Sequence, residues 1–157
     1  MQPRAPAADA AAMRRLAALG AAAVLAATAA DATATIVPQK GMSGVVLGMT
    51  KAQVRARLGA PVGTGGGRWY YARVWVGFRS GRATEIMTTR STERTRGGLG
   101  VDSTESALRS SYPGLSCAAA TPFRRCRLGS GAPGTRVTDF MLGHGRVLQI
   151  TIALLPA

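Results

Sequence analysis

Acidic side chains are scarce in this chain: of 157 residues, 7 are Asp or Glu against 20 Lys or Arg, a formal net charge of +13. That balance excludes an acid-rich, halophile-style surface and leaves polyanions open as partners. Histidine occurs once, at His144, and cysteine twice, at Cys117 and Cys126, too few ligands for the usual four-coordinate zinc set. Any general-base scheme must therefore use His144 or one of the few carboxylates. No apolar run reaches the roughly 20 residues that cross a hydrocarbon core; the segment Leu16 to Ala30 has 15 and is mostly alanine. The length admits one ordinary domain or two very small modules and excludes a large multidomain enzyme.

What the N-terminus does have is the layout of a targeting segment. Arg14 and Arg15 precede the alanine-rich run, and Ala32-Thr33-Ala34 supplies the small-x-small pattern expected before a signal-peptidase cut. Residues 1–34 are thus expected to be a signal peptide, with Met13 a second candidate start, and the mature chain to begin at Thr35. A permanent membrane anchor is the weaker alternative. No cysteine lies near the cleavage point to carry a lipid. Without Arg4, Arg14, Arg15, Asp9 and Asp31 the mature part keeps 17 basic and 5 acidic side chains, so the positive charge belongs to the exported product. Export makes a disulfide between Cys117 and Cys126 the natural assignment.

A short plan occurs twice. Thr50-Lys51-Ala52-Gln53 forms a capping box ahead of Val54 and Leu58, and Gly59 with Pro61 ends the helix. Fifty-two residues on, Asp102 with Glu105 repeats the start, Leu108 and Tyr112 the apolar pair, and Pro113-Gly114 the stop. Helices this short need a sheet to lie on. Tyr70 to Phe78 alternates, with Tyr70, Ala72, Val74, Val76 and Phe78 assigned inward; Ser80-Gly81 then turns into Arg82 to Thr89. Arg136 to Leu142 and Arg146 to Leu154, joined through Gly143-His144-Gly145, form the second pair, with Leu148, Ile150, Ile152 and Leu154 inward. The expected fold class is α+β: two tandem helix-plus-antiparallel-hairpin repeats, over residues 44–96 and 97–157, after an entry segment at 35–43. Gly63 to Gly67 and Gly129 to Gly134 are expected as mobile connections.

On that alternation the odd positions Trp69, Tyr71, Arg73, Trp75 and Arg79 share the outer face of the first strand. Aromatic and Arg side chains concentrate at interface centres, because they bury area while keeping a polar handle. The face is a binding surface, a second small core covered by loops or by the other repeat, or the product of a misread register.

No catalytic constellation is expected, and no cofactor or metal. His144 sits between glycines in a turn, where nothing would orient it. Asp139 and the serines lack a nucleophile elbow around them, and Asp102 and Glu105 are employed as caps. Gly63, Gly65, Gly66 and Gly67 are followed by neither Gly-Lys-Ser/Thr nor a helix, as a phosphate loop requires. Arg124, Arg125 and Arg127, with Arg94 and Arg96, could touch an anionic surface polymer, but no recognition helix or zinc-finger spacing points to specific nucleic acid.

The stretch Leu47-Gly48-Met49-Thr50-Lys51-Ala52-Gln53-Val54, leading through Leu58-Gly59-Ala60-Pro61, resembles the helix-start motif of small exported modules related to the outer-membrane assembly lipoprotein BamE and the β-lactamase inhibitory protein. The resemblance spans Gly44 to Leu154, sharp in the first unit and degenerate from Gly100 to Pro113. It implies short helices on an antiparallel sheet and a noncatalytic role in holding another protein, without the lipidated cysteine of the lipoproteins. The expectation is a secreted interaction module whose partner is an extracellular or envelope protein. An envelope polyanion binder and, further off, a small hydrolase built on His144 are the alternatives.

Overall fold

Three two-residue strands open the fold, β1 (Ile36–Val37), β2 (Gly41–Met42) and β3 (Val45–Val46), paired antiparallel in that order. The computed structural model describes residues 34–157; the expected leader and most of its cleavage motif lie outside the described residues. Helix α1 (Lys51–Leu58) follows, then β4 (Gly63–Gly65), β5 (Arg68–Tyr70), β6 (Trp75–Arg79) and β7 (Arg82–Thr88). Helix α2 (Glu105–Ser111) precedes β8 (Ser116–Ala120), β9 (Phe123–Leu128), β10 (Arg136–Gly143) and β11 (Arg146–Leu154). The last eight strands make one antiparallel sheet in the order β4-β5-β6-β7-β11-β10-β9-β8.

The α+β expectation is therefore corrected. The fold is mostly antiparallel β, an eight-stranded and a three-stranded sheet, and the helices are only 8 and 7 residues long. Helix-plus-hairpin repeats underestimate the sheet because one stretch assigned to a mobile connection and one assigned to no element are strands. Gly63–Gly65 pairs with β5, and Ser116–Ala120 pairs with β9. Four-stranded meanders, not hairpins, are the building units, and β7 joins β11 through Ile86 opposite Ile152.

Local chemistry explains the parts that hold. Thr50 Oγ1 accepts from the Gln53 amide at 3.3 Å while Gln53 Oε1 accepts from the Thr50 amide at 2.8 Å, so the box satisfies two free helix-end donors. The second helix starts elsewhere than expected. Its cap is Thr104, whose Oγ1 accepts from the Ala107 amide at 3.2 Å; Asp102 sits at φ 73° in the preceding turn, whereas a cap needs extended backbone. Ser80-Gly81 and His144-Gly145 both have positive φ at both residues, the conformation that matches strand twist in two-residue hairpins.

The core lies on one side of the large sheet. Val54 of α1 and Leu108 of α2 are buried with Val76, Ile86, Ile152 and Phe140, and the small sheet adds Ile36, Met42 and Val45 to the same cluster. In β11 the expected inward row is partly displaced. An irregularity after Met141 lets Val147 pair with Leu142 and go inward, which leaves Leu148 41% exposed.

The disulfide Cys117–Cys126 links residues directly opposite each other on β8 and β9. Tyr112, at the end of α2, stacks on Phe140 with ring centroids 6.1 Å apart.

Candidate functional site

The strand expected from Tyr70 to Phe78 is instead a hairpin. The Tyr71 amide donates to the Val74 carbonyl at 2.9 Å and turns the chain, so Tyr70 faces Trp75 and Trp69 faces Val76. Directly opposed residues share a sheet face. Even positions on β5 therefore share a face with odd positions on β6, and the expected row splits.

Trp69 lies on the helix side. Its ring meets Phe78 edge-on at 4.9 Å, with Lys51 Nζ 5.7 Å and the Arg55 guanidinium 5.2 Å from its centroid. Trp75 lies on the opposite, open side, where it is 40% exposed and meets Tyr70 edge-on at 5.5 Å. Tyr71 and Arg73 belong to the turn. Arg73 donates from Nε to the Glu93 carboxylate at 2.6 Å, and Glu93 is fully buried and also accepts from Ser43. Arg79 is exposed at the end of β6. The five residues do not form one surface.

Another row does. Register places Tyr70, Trp75, Met87, Thr151, Asp139 and Arg127 on successive strands from β5 to β9, all on the face turned away from the helices. Tyr70 and Met87, assigned inward or passed over in the sequence, are half-buried members of it. Only a turn signal could have placed them, and Tyr71-Ala72-Arg73-Val74 contains no Gly, Pro, Asn or Asp.

The row is apolar at one end and charged at the other. Arg127 and Asp139 form a two-pronged pair at 2.7 and 2.6 Å, and the hydrogen bond to Asp139 raises the Arg127 pKa above its ordinary value. Beside Trp75, Gly77 lets the Glu85 side chain lie across the backbone, where Arg68 pairs with it at 3.2 Å.

The other polar groups singled out in the sequence lie apart from one another or are already paired. His144 is an exposed turn residue. Asp139 lies five residues back along β10, about 17 Å away at about 3.4 Å per residue. Glu105 accepts from Arg109 at 2.8 Å and pairs with Arg124 at 2.9 Å; the Arg109 hydrogen bond holds its carboxyl below the ordinary value. Glu105 also lies with Cys117 and Cys126 within metal-ligating reach, but both sulfurs are committed to the disulfide.

No family model matches the chain, and no curated protein matches it significantly in sequence. Among solved structures it is similar to a DUF4309 family protein (YjgB) from Bacillus subtilis subsp. subtilis str. 168, with a TM-score of 0.52, 15% identity, and 79% of this chain and 90% of that chain covered. A second similar structure is an extracellular protein containing a SCP domain from Bacillus anthracis str. Ames, with a TM-score of 0.48, 8% identity, and 68% and 43% of the two chains covered. At such identities, the first likeness is one of fold alone.

Proposed function

We propose that the chain is an extracytoplasmic, noncatalytic protein-interaction module that holds its partner on the open sheet face around Tyr70, Trp75 and Met87. The observation that carries this is the partly exposed aromatic pair at the turn end of β5–β6, on a face that neither helix covers. Aromatic anchors flanked by satisfied ion pairs are the residue types that concentrate at interfaces. The Cys117–Cys126 disulfide and the expected leader support the location, and the resemblance of the Leu47 to Pro61 motif to small exported modules supports the role.

The polyanion alternative draws on the net charge of the mature chain. Its local cluster is weaker than composition suggests, because Arg124 is paired with Glu105 and Arg127 with Asp139. That leaves Arg125, with Arg96 in the other loop, exposed and outside any ion pair among the described residues.

The test is capture from the producer's envelope and culture fluid. Folded Tyr70→Ser/Trp75→Ser protein is compared with wild type and with Trp69→Phe, which alters the helix side only. Retention by wild type and Trp69→Phe with loss by the double variant is the expected result. Equal capture by all three moves the site off this face. Capture that disappears between about 0.05 and about 0.5 M salt in all three favours the polyanion reading.

A further inference from the structure

Next to the same hairpin's turn, a cleft of about 540 Å³ lies between the end of α1, the segment before β4 and the β5–β6 turn. Leu58, Ala60, Val62, Tyr71, Ala72 and Val74 supply most of its wall. The volume and predominantly apolar wall match those of small-ligand sites. Two further observations give the occupant a polar end. Tyr71 Oη is buried without a hydrogen-bond partner among the described residues, an arrangement that costs free energy unless something fills it. Burial also raises the phenol pKa against the pull of nearby Arg55, so the hydroxyl keeps its proton and is a donor.

The exposed charges around the cleft have one sign. Arg57 lies against Gly44, which lines it, and Arg73 stands at its wall with a side chain 56% exposed. The nearby carboxylate, Glu93, is enclosed and already accepts from Arg73 and Ser43, and Arg73 retains guanidinium hydrogens beyond those directed at Glu93. We propose that this cleft binds a small anionic amphiphile, an apolar chain or ring ending in a carboxylate, with Arg73 pairing with the head group and the Tyr71 hydroxyl, covered in this structure, donating to it once the wall opens around the ligand.

The test is calorimetric titration of the folded protein with sodium decanoate, decanol and decyltrimethylammonium, each kept below its micelle concentration. Decanoate should bind saturably at one site, decanol at least about tenfold more weakly, and the cation not measurably, the factor expected for one charge-assisted hydrogen bond. Tyr71→Phe should weaken decanoate by about the same factor and decanol, whose hydroxyl accepts only a neutral hydrogen bond, by clearly less. Ala72→Trp, at an exposed wall position, should abolish binding by filling the cleft. In wild type, amide shifts on adding decanoate should centre on Leu58, Val62, Tyr71 and Val74, which locates the site without any variant. No saturable binding, equal affinity for the three head groups, or shifts centred elsewhere would each overturn the proposal.

Discussion

Arg73 shows how a residue chosen for one role serves another. It was expected on a recognition face beside Trp75, and it is instead the counter-charge of Glu93, whose carboxylate is fully enclosed and joins the β5–β6 turn to Ser43 of the small sheet. Removing one partner of such a pair leaves an uncompensated buried charge, a loss of about 3–5 kcal/mol in enclosed pairs. Here the arginine is more than half exposed, so its removal opens the carboxylate to water and the loss falls at or just below the lower end of that range. Arg73→Ala should cost about 2–3 kcal/mol in urea unfolding, and adding Glu93→Gln should recover part of it. A single-variant loss under about 1 kcal/mol would show that the pair is solvated and structurally idle. None of this was legible in the sequence, where Glu93 is one acidic residue in a polar, glycine-flanked loop with nothing to mark it as buried.

At the scale of elements, legibility followed turn and cap chemistry. The Thr50–Gln53 box and the Ser80-Gly81 and His144-Gly145 turns were readable because each uses residue types suited to its backbone conformation. The β5–β6 turn carries no such residues, and one missed turn exchanged the faces of Trp69 and Tyr70. Strand β8 was equally hidden, since Ala118-Ala119-Ala120 has low strand propensity. Its place is held by pairing to β9 on one side only and by the disulfide. The bond encloses eight residues, for which chain-entropy arguments give about 2–3 kcal/mol. Reduction should therefore lower the unfolding free energy by about that amount, and β8 amides should lose hydrogen-exchange protection before those of β10 and β11. Unchanged stability on reduction would mean that sheet pairing alone holds the edge.

For the whole molecule the question is whether the division at residues 96 and 97, suggested by the repeated helix starts, is also a division of stability. The sheet argues against it. Ile86 and Ile152 are fully buried partners across β7 and β11, and one apolar cluster contains both together with Val54 of α1 and Leu108 of α2. The two strands that meet at the junction would each become an exposed apolar edge if the halves separated, a state that favours association over folding. One cooperative transition is therefore expected. The chain offers a clean probe, because both tryptophans, Trp69 and Trp75, lie in the first half while far-UV circular dichroism reports all strands. Ile152→Ala in the second half should remove about 2–5 kcal/mol, the range for truncating a buried Ile to Ala. Its denaturation midpoint should move equally by tryptophan fluorescence and by circular dichroism. If fluorescence keeps the wild-type midpoint while circular dichroism shifts or splits, the halves unfold independently, and the open face that runs from Tyr70 to Arg127 could not act as one rigid surface.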